Sequence, residues 1–283
     1  MDRRSFTPMF QFEQLLRPGA TPTLTPEGVY NFLSVSPADG QANYVTHYQQ
    51  DALEFDYFTP PADPATVHES ERLHQEILSH LPASARTVLD VGCGSAWVAR
   101  ELLPHKAAVV SCDIALRNTT EALRRYPAPH HFAVTGDAFD LPFRDGSLDA
   151  VISSEVMEHV PDVSSYLRSL VRVVRPGGRV ILSTPYDETI QYSLCIHCNR
   201  PTPLHAHLHS FNERLMEELL APLPVRYTLH TLSNKALLYL RTHGVLRHLP
   251  FRAWRRVDGW ANRVVRKPGR LVVVLEVVEG VGD

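Results

Sequence analysis

Gly92 and Gly94 stand directly after the apolar run Val88-Leu89-Asp90-Val91, and Asp113 ends a second apolar run further on. Glycines at that spot let the chain turn sharply and let a ligand approach the backbone, because no β-carbon stands in the way. A carboxylate about twenty residues beyond such glycines is positioned to accept hydrogen bonds from two ribose hydroxyls. A third run is followed by Gly136-Asp137-Ala138. An acidic side chain beside a backbone N–H suits the amino edge of adenine. The chemistry written in these positions is a cradle for a nucleoside.

Two further groups of residues could act on what the cradle holds. A fourth run leads into Ser153-Ser154-Glu155-Val156-Met157-Glu158-His159-Val160. Glu158 and His159 are the polar groups there that could take a proton from an acceptor. The alternative is structural, with Glu158 capping a helix or pairing with a cation and His159 packed. Further on, Cys195-Ile196-His197-Cys198 is followed by His205, His207 and His209. Thiolates and imidazoles at this density suit tetrahedral zinc, with the two cysteines as a half-knuckle and two histidines closing it. A polar loop of reduced cysteines and histidines bordering a pocket is the other reading.

The elements that must hold these residues are short β-rich runs at 87–91, 107–113, 132–134, 148–153 and 179–183, alternating with helical patterns. That alternation means a parallel sheet covered on both faces. Residues 225–232 and 270–278 supply two more strands, giving an α/β fold with a doubly wound, seven-stranded, mostly parallel sheet. A helix is expected over 69–80, with Leu73, Ile77 and Leu81 on one face and Pro82 helping to end it. Residues 1–67, rich in Pro, Tyr and Phe, read as an N-terminal arm whose short helices pack on something else, the clearest at 44–58. Residues 68–283 form the domain proper, with a Cys/His insert at 193–211 and a basic insert at 233–268.

The basic insert carries nine Lys or Arg against a single Asp, and its tryptophans, Trp254 and Trp260, lie six apart and so not on one helical face. The expectation is an apolar side packed on the core with the charges solvated. An anionic membrane surface or RNA are the alternative partners. Across the whole chain of 283 residues the net charge is -3. A general nucleic-acid coat would need a large excess of cations, so nucleic acid is not an expected partner. Four cysteines are too few for a disulfide scaffold, and neither an apolar leader nor a bilayer-length run is present, which suggests a reducing cytoplasm.

Residues 88–184 taken together resemble the class I S-adenosylmethionine-dependent methyltransferases, whose fold is Rossmann-like. The resemblance implies that Asp90, Gly92 and Gly94 line the methionine part and ribose of the cofactor. Asp113 would hold the ribose hydroxyls with Ile114 beside it, Asp137 with Ala138 would meet the adenine, and the backbone near Ser154 and Glu155 would face the amino-acid end. Ala96 stands where many members carry a third glycine. An NAD-dependent oxidoreductase shares the strand, the glycine turn and the acid, but its third glycine would fall at Trp97. The run from Cys195 to Phe211 is similar to an insert in some bacterial members. It implies a structural zinc on Cys195, Cys198 and His207, with His205 and His209 both competing to be the fourth ligand. The implied activity is methyl transfer to a small-molecule or carrier-linked acceptor. A non-catalytic cofactor-binding or zinc-stabilised interaction module is the alternative from another class.

Overall fold

The computed structural model describes residues 11–33, 44–105 and 108–279, so Ala107 and parts of the N-terminal arm lie outside the described residues. In chain order the strands are β1 (Thr23–Leu24), β2 (Tyr30–Asn31), β3 (Thr87–Val91), β4 (Ala108–Asp113), β5 (His131–Thr135), β6 (Leu148–Ser154), β7 (Val174–Pro185), β8 (Tyr192–Leu194), β9 (Pro201–Pro203), β10 (Val225–Leu232) and β11 (Arg270–Val277). The helices are α1 (Tyr44–Glu54), α2 (Pro64–Ser79), α3 (Trp97–Leu102), α4 (Leu116–Arg125), α5 (Val163–Val173), α6 (Glu213–Leu220), α7 (Lys235–Tyr239), α8 (His243–Leu246) and α9 (Phe251–Val264).

One sheet runs in the order β1-β2-β5-β4-β3-β6-β7-β11-β10, and β8 and β9 pair as a separate hairpin. Strands β3 to β7 are mutually parallel, while β11 is antiparallel to both β7 and β10. The order reverses at β3: the chain builds outward through β4 and β5, then returns to place β6 on the other side. Ligands of such sheets sit at the carboxyl ends of the strands beside that reversal.

The sheet has nine strands rather than the expected seven. The arm contributes β1 and β2, with Tyr30 opposite Val134 and the Phe32 N–H donating to the Thr135 carbonyl at 2.8 Å. Phe12 stacks on Phe132 with ring centroids 5.0 Å apart. The arm thus covers the open N–H and C=O groups of the β5 edge, which would otherwise invite another chain. Its helix α1 ends at Glu54, short of the expected Phe58.

Adjacent residues of each central strand serve opposite cores, as the two-residue period requires. Val88, Val109, Ala150, Ile181 and Val272 pack with Leu73 and Ile77 of α2, Trp97 of α3 and Trp254 of α9. Leu89, Val110, Val151, Leu182 and Val273 pack with Leu167 and Leu170 of α5, Met216 of α6, and Phe12 and Leu15 of the arm. Helix α2 starts earlier than residue 69 because Asp63 accepts a hydrogen bond from the Thr66 N–H at 3.2 Å and Pro64 follows at the first helical position.

The basic insert forms α7, α8 and α9. Its apolar side rests on α2 as expected: Trp254 is buried, and the Arg72 guanidinium lies 5.4 Å from the centre of its ring. Arg72 also donates to the carbonyls of Leu246, Arg247 and Leu249 at 3.0, 3.2 and 2.8 Å, closing the C-terminal end of α8. Among the described residues no helix is long and apolar enough to cross a membrane.

Candidate functional site

The bend after β3 is left-handed at Gly92 (φ +71°) and Gly94 (φ +44°). The N–H groups of Gly92 and Cys93 both donate to the Cys112 carbonyl, at 2.8 and 3.0 Å, tying the bend to β4. A β-carbon on Gly92 would lie 2.3 Å from Val156 Cγ2, so glycine here makes room for the segment after β6. The Gly94 N–H donates to Asp113 Oδ2 at 3.0 Å. Asp113 also accepts from the Ala115 N–H at 2.9 Å and from Asn118 Nδ2 at 3.2 Å. Burial pushes the Asp113 carboxyl above its ordinary range, and these donors act in the opposite direction. Ala96 is itself left-handed (φ 54°) and fully buried, which accounts for glycine being the easier residue at that place. Trp97 turns to α2 and stacks on His74 with ring centroids 3.8 Å apart.

Asp90 does not line the cleft. It is 1% exposed, and its Oδ2 has no hydrogen-bond partner. Burial first, and then the neighbouring Asp113, hold its carboxyl well above the usual range. A buried carboxylate oxygen short of a donor beside the glycine bend fits a ligand that brings hydrogen-bond donors, as an adenosyl amino acid does.

Helix α1 lies across the part of the cleft lined by Ile114, Asp137 and Ala138. The Tyr44 hydroxyl donates to Asp137 Oδ2, and Gln49 Nε2 donates to the Ile114 carbonyl at 2.9 Å. Arg117 Nη1 reaches the Ala52 and Leu53 carbonyls at 2.5 and 2.8 Å. The other Asp137 oxygen accepts from the Phe139 N–H at 2.9 Å. Ile114, Asp137 and Ala138 all line a cleft of about 960 Å3 that begins at Gly92, Gly94 and Asp113.

The same cleft continues to Glu155, Glu158, His159 and His207. Glu155 is left-handed (φ 57°), and its carboxylate accepts from Ser183 Oγ at 3.1 Å and pairs with Arg270 Nε at 3.1 Å. Ser154 is not on the cleft wall. Its hydroxyl faces Ser183 Oγ at 2.9 Å, because the two residues are paired across β6 and β7 and share one face of the sheet. Glu158 is buried, with Oε2 accepting from the Thr184 hydroxyl at 3.1 Å. Burial first, then the charge of Glu155, push its carboxyl well up. Burial first, then His207, pull the His159 imidazole down to about 4, so it is neutral at neutral pH.

The four expected zinc ligands are not gathered. Cys195 and Cys198 lie at the tip of the β8–β9 hairpin, with Cys198 exposed and the Asn199 N–H closing the turn on the Cys195 carbonyl at 2.9 Å. After left-handed His205 and Ala206 the chain turns back. His207 Nδ1 meets Glu188 Oε1 at 2.6 Å, and His209 Nε2 meets the Val160 carbonyl at 3.0 Å. Among the described residues, His207 shares a metal-capable cluster with Glu158 and His159, and no cysteine belongs to any such cluster.

Tyr44, Tyr48, Tyr57, Glu188 and Arg270 also line the cleft, and sequence reading gave them no role. The aromatic richness of the arm was their one signal. Arg270 is a cation that opens an otherwise apolar run.

A doubly wound sheet with a glycine bend, an acid at the end of the next strand and a deep cleft at the strand reversal is the Rossmann-like α/β fold of the methyltransferase type. Residues 89–182 match the family described as methyltransferase domain. Ubiquinone biosynthesis O-methyltransferase of Chromobacterium violaceum is 30% identical over 161 residues, covering 52% of this chain and 68% of that protein. Methyltransferase GfsG of Streptomyces halstedii is 32% identical over 144 residues, covering 47% and 50%. The solved structure of an S-adenosylmethionine-dependent methyltransferase from Mesorhizobium loti superposes with a TM-score of 0.52 at 16% identity, covering 74% of this chain and 99% of that one. The chain belongs to the S-adenosylmethionine-dependent methyltransferase family. It spans about half the length, or less, of several curated relatives that it matches.

Proposed function

We propose that the chain binds S-adenosylmethionine and transfers its methyl group to a small-molecule or carrier-linked acceptor. The observation that carries this reading is the Asp113 carboxylate, hydrogen-bonded to the Gly94 N–H, at the floor of a cleft that runs on to Glu158 and His159. Asp113 would take the ribose hydroxyls, Ile114, Asp137 and Ala138 the adenine, and Gly92, Gly94 and the Glu155 backbone the methionine part. When bound, the cofactor supplies a methyl carbon already activated by the sulfonium. The protein's share is alignment of the acceptor and exclusion of water, for which α1 forms a roof. Glu158 and His159 are the groups at the acceptor end that would receive a proton from the acceptor. The name of the Chromobacterium relative, an O-methyltransferase, favours an oxygen acceptor.

Calorimetric titration with S-adenosylmethionine, S-adenosylhomocysteine and NAD, on the wild type and on Asp113→Ala, tests the cofactor reading. Preferential binding of NAD overturns it. Release of S-adenosylhomocysteine in a screen of phenolic, quinol and lipid-linked hydroxyl compounds tests the transfer itself.

A membrane-borne acceptor is favoured by one surface. On one face of α9, Trp260 and Val264 are 66% and 63% exposed, spaced with exposed Arg252, Arg256 and Arg263. Apolar side chains set among cations match an anionic lipid surface, which would bring a carrier-linked substrate to the enzyme.

A further inference from the structure

The acceptor end of the cleft holds more ligating chemistry than proton removal requires. One oxygen of Glu158 and one ring nitrogen each of His159 and His207 all lie within 4.8 Å of one another. The three come from two segments about 50 residues apart. His159 directly follows Glu158 in the 3-10 turn after β6, and His207 is carried in by the chain returning from the β8–β9 hairpin.

The surroundings of the imidazoles point the same way. His207 Nδ1 donates to Glu188 Oε1 at 2.6 Å, and His159 Nδ1 donates to the Ala206 carbonyl at 3.3 Å. With Nδ1 taken up by these acceptors, Nε2 is the nitrogen each neutral ring would offer to a metal. Outer acceptors that fix the tautomer in this way are the usual support of metal-bound histidines. Glu158 is 1% exposed and is short of positive charge: its hydrogen-bonding partner is the Thr184 hydroxyl, and the nearby guanidinium of Arg270 pairs with Glu155 instead. A second cluster, Glu76, His80 and His230, lacks this feature, because Arg255 Nε neutralises Glu76 at 3.0 Å.

We infer that Glu158, His159 and His207 form a site for one divalent transition-metal ion, open on the cleft side to an oxygen of the acceptor. Two imidazoles and one carboxylate suit zinc, manganese, cobalt or iron(II) and leave coordination positions free. Ligand bonds of about 2.1 Å place donor atoms about 3–4 Å apart, so closing the cluster takes small side-chain rotations. The binding part of the inference stands without the proposed activity; the role in transfer rests on it. In that role the metal would replace Glu158 and His159 as the means of proton removal: a metal-held acceptor hydroxyl, made more acidic by the metal, would pass its proton to water at the mouth of the cleft, away from the reacting atoms. The acceptor oxygen would attack the methyl carbon, the carbon–sulfur bond would break, and neutral S-adenosylhomocysteine would leave.

The test is titration of the untagged, chelator-treated full chain with Mn2+ and with Co2+, read by calorimetry and by the visible absorption of bound cobalt. One equivalent is expected. Glu158→Gln and His207→Ala should each weaken binding by more than the about 10–100-fold that loss of an outer partner costs, and Glu188→Gln should fall within that range. The double variant Cys195→Ser/Cys198→Ser should bind as the wild type does. Circular dichroism and S-adenosylmethionine binding on the same samples read the fold and the cofactor site separately. Less than about one tenth of an equivalent in the wild type overturns the site. So does retention of the metal in His207→Ala, or its loss in the cysteine double variant.

Discussion

The hydroxyl of Tyr44 donates to the carboxylate of Asp137, which joins the first turn of α1 to the loop after β5, 93 positions along the chain. With Gln49 holding the Ile114 carbonyl, this contact latches the arm over the end of the cleft lined by Ile114, Asp137 and Ala138. Tyr44→Phe removes the latch and leaves the ring in place beside Phe139. One hydrogen bond to a charged group is worth about 1.5–3 kcal/mol, so the dissociation rate of S-adenosylmethionine should rise about tenfold or more, while the melting temperature changes little because the contact governs local opening of α1 rather than global unfolding. Stopped-flow fluorescence would read the rate, and an unchanged value would mean that α1 does not retain the cofactor.

Asp113→Ala should do more. The carboxylate stands to make two charge-assisted bonds to ribose, each worth about 1.5–3 kcal/mol, so affinity for S-adenosylmethionine should fall by at least about 100-fold. S-adenosylhomocysteine should lose as much, because both share the ribose. A loss confined to one of the two ligands would move Asp113 away from the sugar.

Gly92→Ala is expected to cost about 2–4 kcal/mol of stability in urea denaturation. Two physical terms add: an alanine at φ +71°, and a new methyl 2.3 Å from Val156 Cγ2. Gly92→Ala/Val156→Ala should recover the steric part and leave the backbone part, so the double variant separates them. A single variant within about 0.5 kcal/mol of wild type would show that the bend is not as tight as described.

Acid should weaken the fold through His74, whose ring lies flat on Trp97. Burial first, then Arg100, bring its imidazole down to about 4 from an ordinary 6.5. Between those values the unfolded chain binds a proton that the native state excludes. Stability therefore falls as pH drops from about 6.5 toward 4 and is fully present above that window. The melting temperature at pH 5 should lie below that at pH 7.5, and His74→Phe, which keeps an aromatic stack, should narrow the gap. His68 is depressed in the same direction, so some slope should remain.

The central sheet was legible because its evidence is local. Val88 to Gly94 carry strand and turn in consecutive residues, and Asp113 ends the next apolar run nineteen positions after Gly94. The two-residue strands β1 and β2 carry no periodicity, and the exposed edge of β5 defines them, which no local pattern reports. The grouping of the metal-type donors was less legible for a related reason. Their spacing is a local signal for metal, but which donors meet depends on the hairpin that holds the thiols at its tip and on the turn that carries His207 back to Glu158 and Glu188. Tyr44 and Arg270 reach the cleft only through the tertiary arrangement of α1 and β11. Trp254 and Trp260 were separable in advance, since six residues on a helix turn one away from the other, and one is buried while the other is 66% exposed.

That exposed tryptophan gives the last prediction. Helix α9 is fixed from beneath by Trp254 and by Asp258, which accepts from the Asn234 N–H at 2.7 Å, so its outer face can change without disturbing the fold. Trp260→Ala should leave the melting temperature within about 2 °C, as a surface change does in a chain of this size. The wild type should float with vesicles containing phosphatidylglycerol and stay behind with phosphatidylcholine alone, since each cation near an anionic surface contributes about 1 kcal/mol. Trp260→Ala should lose the apolar part of that binding, and Arg256→Glu/Arg263→Glu the electrostatic part, with the second effect vanishing in high salt. Flotation that ignores lipid charge, or equal flotation of all variants, would place the acceptor in solution and leave the basic face as a solvated surface.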